Sequence, residues 1–254
     1  MITVVASTWS VPAAVRSSAT SEGPALLKPS VPLAGTPFGG TAAVGALVAW
    51  SGGHLGAHFC TASVVDSPSG DLLITAAHCV NGYADTRPAG LVFVPGYDKG
   101  RAPYGIWTVT RIFTDTEWAS AADPDHDVAF LAVTRPGRHI TIETVTGAES
   151  LGIGRPVTAV VRAIGYPDIR DQPIRCQNRV RPLSPTQLEF DCGNYTDGTS
   201  GGPLLTSVDP ATGDGTVIGI IGGYQQGGGT PDVSYSAVFG QDVRELYATA
   251  ASEP

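Results

Sequence analysis

The sequence predicts an all-β fold of short strands, finished by one terminal helix. Three observations carry that prediction. Twelve short apolar runs follow one another between residues 42 and 238, 32 glycines and 20 prolines supply turns, and only the last segment has helical spacing. Short strands at this spacing suit barrels or a sandwich rather than alternating strands and helices. With 254 residues and 42% hydrophobic content, the chain can bury a substantial core as one two-lobed domain or two small ones.

Residues 1–37 come first, rich in Ser, Ala, Pro and Thr without sustained periodicity, and read as an extended or disordered arm, a leader or a pro-segment. A strand over 42–50 ends before Gly52 and Gly53, and one over 58–65 ends at Asp66. The run 72–77 follows Gly70 and Asp71, 91–94 lies between Gly90 and Pro95, 106–113 starts after Gly105, and 128–133 starts after Asp127. A link rich in Gly and Thr occupies the stretch around 135–154. Six more strands are expected over 157–164, 174–180, 187–191, 203–207, 217–221 and 234–238, again set off by Pro and Gly. Residues 240–251 place Val243, Leu246 and Tyr247 on one helical face, with Gln241, Asp242, Arg244 and Glu245 elsewhere.

Composition excludes several functions. The net charge is −8 and the basic residues are scattered, so the chain lacks the basic stripe by which nucleic-acid binders displace counterions. No run of eighteen or more apolar residues supplies a spanning helix, and the first five residues lack the pattern of a signal peptide. The four cysteines fall in two local pairs, Cys60 with Cys79 and Cys176 with Cys192, neither of C-x-x-C form, and read as disulfides. Oxidised pairs imply secretion. A metal site built from His54, His58, Cys60 and Cys79 would compete with the histidine motif for the same loop.

Three segments carry chemistry. Thr75-Ala76-Ala77-His78-Cys79 supplies a histidine, and Asp197-Gly198-Thr199-Ser200-Gly201-Gly202-Pro203 supplies a serine among glycines. A serine hydroxyl is a poor nucleophile until an imidazole takes its proton, and the imidazole needs a carboxylate to fix its tautomer. Asp125-His126-Asp127 runs into Val128-Ala129-Phe130-Leu131 between the two motifs. Asp127 directly precedes the apolar run and so belongs at a strand entrance, whereas Asp125 falls in the loop with Asp123 and Pro124. The G-x-S-x-G spacing around Ser200 also fits an α/β-hydrolase elbow, but no histidine follows Ser200, and that fold requires one.

These motifs, over roughly residues 37–251, resemble the chymotrypsin-like serine proteases of secreted bacterial type. The resemblance implies two six-stranded antiparallel Greek-key barrels over about 38–135 and 155–251, with the triad His78, Asp127 and Ser200 between them. It also implies a Cys60–Cys79 bridge closing the histidine loop. The backbone N–H groups of Gly198 and Ser200 become the oxyanion donors. No metal or cofactor is needed, and a monomer acting on protein or peptide substrates is expected, without membrane partners. Alternatives are a catalytically weak homologue that binds a partner through the cleft, and an esterase on the same fold.

Departures from the family pattern bear on activation and specificity. Thr199 stands where animal trypsin-like enzymes carry an aspartate that pairs with a cleaved N-terminus, and 40–45 lacks the matching Ile-Val-Gly-Gly start. The staphylococcal glutamyl endopeptidase type lacks that aspartate too, so an oxyanion hole formed without N-terminal cleavage is expected. Asn194 takes the position at the base of the primary pocket, which leaves a cationic substrate side chain without a carboxylate partner. The pocket wall and substrate-pairing strand are expected over Ile221, Gly222, Gly223 and Tyr224, and Ile221 replaces the histidine of glutamate-specific relatives. Tyr195 is expected to fill part of the pocket and Tyr224 to narrow its mouth. Together these point to a small or medium uncharged residue. Gly222 replaces the serine that usually supports the triad aspartate, so one supporting hydrogen bond is expected to be missing.

Overall fold

A computed structural model of the chain describes Met1, Thr3 and residues 33–83 and 90–253. Most of the expected arm lies outside these residues. Its last part does not: Ala34 bridges to Gly193, and β1 (Thr36–Pro37) pairs with Arg175 and Ile174, so residues 34–37 belong to the folded unit rather than to an arm.

The first half closes into a six-stranded antiparallel barrel. Its strands are β2 (Val44–Ser51), β3 (His54–Val65), β4 (Leu72–Thr75), β5 (Leu91–Pro95), β6 (Trp107–Thr114) and β7 (Ala129–Thr134), hydrogen-bonded in the order β2-β3-β4-β7-β6-β5. Each of the first six expected runs contributes one strand. Closure removes free edges, and alternation turns Leu47, Leu73, Phe93, Trp107 and Leu131 into the interior, where none retains exposed surface. Burying each such side chain contributes roughly 2–3 kcal/mol. Outside the expected runs lies α1 (Thr116–Ala121), whose first turn is capped by Asp115 accepting from Glu117 N–H at 2.8 Å. The expected link holds two further elements, α2 (Ile142–Thr146) and β8 (Ser150–Leu151).

The second half holds β9 (Val160–Gly165), β10 (Ile174–Arg179), β11 (Arg181–Pro182), β12 (Gln187–Asp191), β13 (Pro203–Thr206), β14 (Thr216–Ile220) and β15 (Val233–Ala237), followed by α3 (Gln241–Ser252). All six runs expected here form strands, but they hydrogen-bond as two sheets, β1-β10-β9-β13-β14-β8 and β11-β12-β15. Side chains explain the gaps between the sheets. Where β14 meets β15, the Ser236 hydroxyl accepts from Ile220 N–H at 3.0 Å and donates to Ala237 O at 2.8 Å, taking the place of a ladder bond. Where β10 meets β12, Asn178 Nδ2 donates to Asp191 O at 2.7 Å and the Cys176–Cys192 disulfide joins the strands. A continuous core runs from the barrel interior through Ile164, Leu205, Val217 and Phe239 to Val243 of α3, tying the halves together. Among the described residues no helix is long and apolar enough to cross a membrane.

One buried acid sits at the junction of the halves. Glu149 N–H donates to Val64 O at 2.9 Å, its carbonyl accepts from Asp66 N–H at 3.0 Å, and its side-chain Oε2 accepts from Gly215 N–H. Its other oxygen, Oε1, is buried without a hydrogen-bond partner. Desolvation raises the carboxyl pKa from the ordinary range to about 8, the Gly215 bond opposes this, and the Asp214 charge adds to it. The folded state therefore holds a proton that the unfolded state has released, and stability falls as pH rises from about 4.5 to about 8. Glu149→Gln keeps an acceptor for Gly215 and leaves no charge to be buried at high pH. It is expected to raise the melting temperature by roughly 5–10 °C at alkaline pH, a few kcal/mol, with no gain near pH 4, as read by thermal unfolding across pH.

Candidate active site

His78 leaves the end of β4 on a 3-10 turn (Ala77–Val80), which the Cys60–Cys79 disulfide ties to β3. The sulfurs lie beside the imidazole, but they are bonded to each other, so they offer no thiolate to a metal. Asp127 follows the 3-10 turn Pro124–His126 and stands two residues before β7, fully buried. Its Oδ1 accepts from His78 N–H at 2.8 Å, and its Oδ2 accepts from His78 Nδ1 at 2.7 Å and Gly223 N–H at 2.8 Å. A carboxylate acceptor at Nδ1 keeps the proton there and leaves Nε2 as the basic nitrogen. Asp125 points elsewhere, accepting from Gln187 Nε2 at 2.7 Å.

The Gly223 bond corrects one expectation. The carboxylate keeps its support from the second half, because a backbone N–H takes over where no serine side chain is present. A Cβ on Gly222 would lie only 3.0 Å from Asp127 Oδ2, so the bare backbone allows this close approach.

Ser200 and His78 line one cleft of about 470 Å³ between the halves, together with Gly198. Among the described residues, His78 Nε2 has no protein hydrogen-bond partner. The serine loop is pinned peptide by peptide. Asp197 O accepts from Asp168 N–H at 2.8 Å, Gly198 O accepts from the Thr61 hydroxyl at 2.9 Å, and Thr199 O accepts from Gly202 N–H at 2.9 Å. In a trans peptide the N–H points opposite its C=O, so fixing the first and third carbonyls turns the N–H groups of Gly198 and Ser200 to the other side. Neither N–H donates to a protein acceptor among the described residues.

Thr61 acts on this loop from the barrel. Its hydroxyl also accepts from Tyr166 N–H at 2.9 Å, and its own N–H donates to Ser200 O at 2.7 Å. Thr199 is buried, and its hydroxyl donates to Thr196 O at 2.7 Å. The loop is thus held by internal bonds where the animal enzymes use an ion pair. The sequence carried no signal for Thr61 beyond its place after Cys60.

A second cavity, about 250 Å³, opens beside Ser200 and is walled by Tyr195, Thr199, Ile221 and the glycines 227–229. Tyr195 is buried, with its hydroxyl donating to Ala163 O at 2.9 Å. Asn194 is not part of the wall: its backbone is left-handed at φ 73°, its side chain is turned outward, and Nδ2 donates to Gly35 O at 3.1 Å. Tyr224 does not narrow the mouth either, since it is 44% exposed and lies edge-on to Tyr235. The extended segment expected over 221–224 ends early. Gly223 takes φ 75°, a 3-10 turn spans Tyr224–Gly227, and Gln225 and Gln226 are left-handed at φ 53° and 54°. Among the described residues, Asp197 is the only charged side chain lining this cavity.

This two-lobed fold, in which His78, bonded to Asp127, and Ser200 line one cleft, is that of the trypsin-like peptidases. A family model described as "Trypsin-like peptidase domain" matches residues 60–220, and the chain belongs to that family. Solved structures resemble it over most of its length. Protease Anisep from Arthrobacter nicotinovorans is 23% identical with a TM-score of 0.73, covering 86% of this chain and 100% of that one. Thermostable serine protease AL20 from an extremophilic microorganism is 25% identical with a TM-score of 0.69, covering 84% and 99%. A Glu endopeptidase is 15% identical with a TM-score of 0.64, covering 87% and 98%. No curated protein matches the chain.

Proposed function

We propose that the protein is a secreted serine endopeptidase that cleaves peptide bonds through an acyl-enzyme, acting as a monomer. The observation that carries this reading is the three-bond cradle of Asp127, which fixes His78 with Nε2 free in the cleft that holds Ser200. Ser200 Oγ attacks the scissile carbonyl while its proton passes to His78 Nε2, and the imidazolium gives that proton to the leaving amine. Water then attacks the acyl-enzyme by the same base and restores the serine. Asp127 stabilises the imidazolium, and the free N–H groups of Gly198 and Ser200 receive the oxyanion. No step calls for a metal or cofactor. The serine and histidine need only close to hydrogen-bond distance when substrate binds.

Secretion is supported by the two disulfides. The pinned serine loop supports an oxyanion hole that forms without N-terminal cleavage. The small cavity beside Ser200, walled by Tyr195, Ile221 and glycines, favours substrates with a small or medium uncharged residue at the cleavage site.

The test is labelling of the purified protein with a fluorophosphonate probe, with the adduct mapped by mass spectrometry, alongside digestion of a mixed peptide library. The full chain and a chain beginning at Leu33 are expected to label at Ser200 and to cut after the same uncharged residues. Absence of both labelling and cleavage would overturn the reading in favour of a binding homologue. Activity confined to the shorter chain would sink the preformed hole alone.

A further inference from the structure

Gln187, the first residue of β12, is only 4% exposed, and its amide reaches into the first half. Nε2 donates to Pro124 O at 3.0 Å and to Asp125 Oδ1 at 2.7 Å, while Oε1 accepts from Tyr224 N–H at 3.0 Å. Both amide protons and one acceptor site are therefore used in a buried setting, where a polar group left unpaired is costly. The two segments it joins meet at one place. Pro124–His126 is the turn that delivers Asp127, and Gly223, next to Tyr224, donates the N–H that supports Asp127 Oδ2. The strand behind the amide is itself fixed, with Gln187 paired to Ala237 of β15.

From this we infer that Gln187 is a positioning residue for the triad, resting on the peptidase reading above. One amide holds the backbone that carries the Asp127 carboxylate and the backbone that braces it, and so sets the angle at which Asp127 meets His78. This also gives Asp125 a role: it is the anchor for that amide, not a second acid for His78. The connection crosses from one half of the fold to the other, directly behind Asp127, where the two halves must keep register for His78 and Ser200 to act together.

Gln187→Met keeps the length of the side chain and removes all three bonds. Well below its melting temperature it is expected to lose about 10- to 100-fold in kcat with KM nearly unchanged, because a small misplacement of the acid and base is felt in the transition state. The rate of fluorophosphonate labelling falls in step, and the downfield proton resonance of the His78–Asp127 hydrogen bond shifts. Asp125→Ala, a half-exposed site, removes a single anchor and is expected to lose about 3- to 10-fold in kcat. A merely structural glutamine would lower the melting temperature and leave kcat per labelled site and the His78 resonance as in the unaltered protein. That result in a folded Gln187→Met overturns the inference. If Gln187→Met does not fold, unaltered kcat and resonance in Asp125→Ala overturn it instead. Should the unaltered protein neither label nor cleave, the peptidase reading fails separately, and the His78 resonance still decides whether Gln187 sets the His78–Asp127 geometry.

Discussion

Asp127→Asn is expected to lower kcat by about 10⁴-fold while the protein still folds. Among the described residues the carboxylate of Asp127 meets three N–H donors, two on Oδ2 and one on Oδ1. An amide has only one oxygen, so in either orientation one backbone N–H, that of His78 or of Gly223, faces another N–H. With the amide nitrogen in the Oδ2 position, His78 must also accept at Nδ1, which moves its proton to Nε2. That tautomer has no lone pair for the Ser200 proton. In the opposite orientation the tautomer survives, but the negative charge that stabilises the imidazolium is gone. Turnover collapses in both cases, whereas packing is almost untouched because the side chain keeps its shape. Steady-state kinetics with active-site titration, together with a far-UV spectrum and melting curve, check the expectation. A kcat within tenfold of the unaltered protein would remove Asp127 from the chemistry.

Residue type and chain order carried a large part of this site. The proposed triad of His78, Asp127 and Ser200 was legible because a hydroxyl nucleophile needs a base and an acid, and because between the histidine and serine motifs only Asp127 directly precedes an apolar run. The barrel strands were legible because closed antiparallel sheets write their alternation and turns into local sequence. Contacts that depend on distant segments were not. Thr61 and Gln187 act through polar side-chain atoms on residues as far as 137 and 63 positions away, and nothing in their neighbourhoods marks them. Asn194 failed as a pocket residue because one backbone angle, φ 73°, turned its side chain away, and such an angle on a non-glycine residue cannot be read from residue type alone. The break after Ile220 was hidden for a related reason. Gly222 and Gly223 permit an extended strand as readily as the bend they adopt, and what selects the bend is the Asp127 carboxylate receiving Gly223 N–H from the other half.

Gly198→Ala is expected to cost about 10²- to 10³-fold in kcat, the scale of losing one oxyanion donor. Gly198 has φ 88°, beyond the small left-handed region that L-residues tolerate. A Cβ there would lie 2.5 Å from Tyr166 O and 2.6 Å from Asp168 N, both backbone atoms that cannot swing aside. Relief requires the serine loop or the segment at 166–168 to retreat, and either movement breaks the bond from Asp168 N–H to Asp197 O. That bond is what aims the Gly198 N–H into the cleft, so the donor is lost even though the substituted residue keeps its own N–H. Strain and a broken bond will also lower the melting temperature, which makes turnover per titrated site the deciding measurement. Unfolded molecules reduce the number of sites that label, but they do not slow the sites that remain. A hole that has lost one donor slows each of them, and it acts on kcat rather than KM because the charge it serves exists only after Ser200 has attacked.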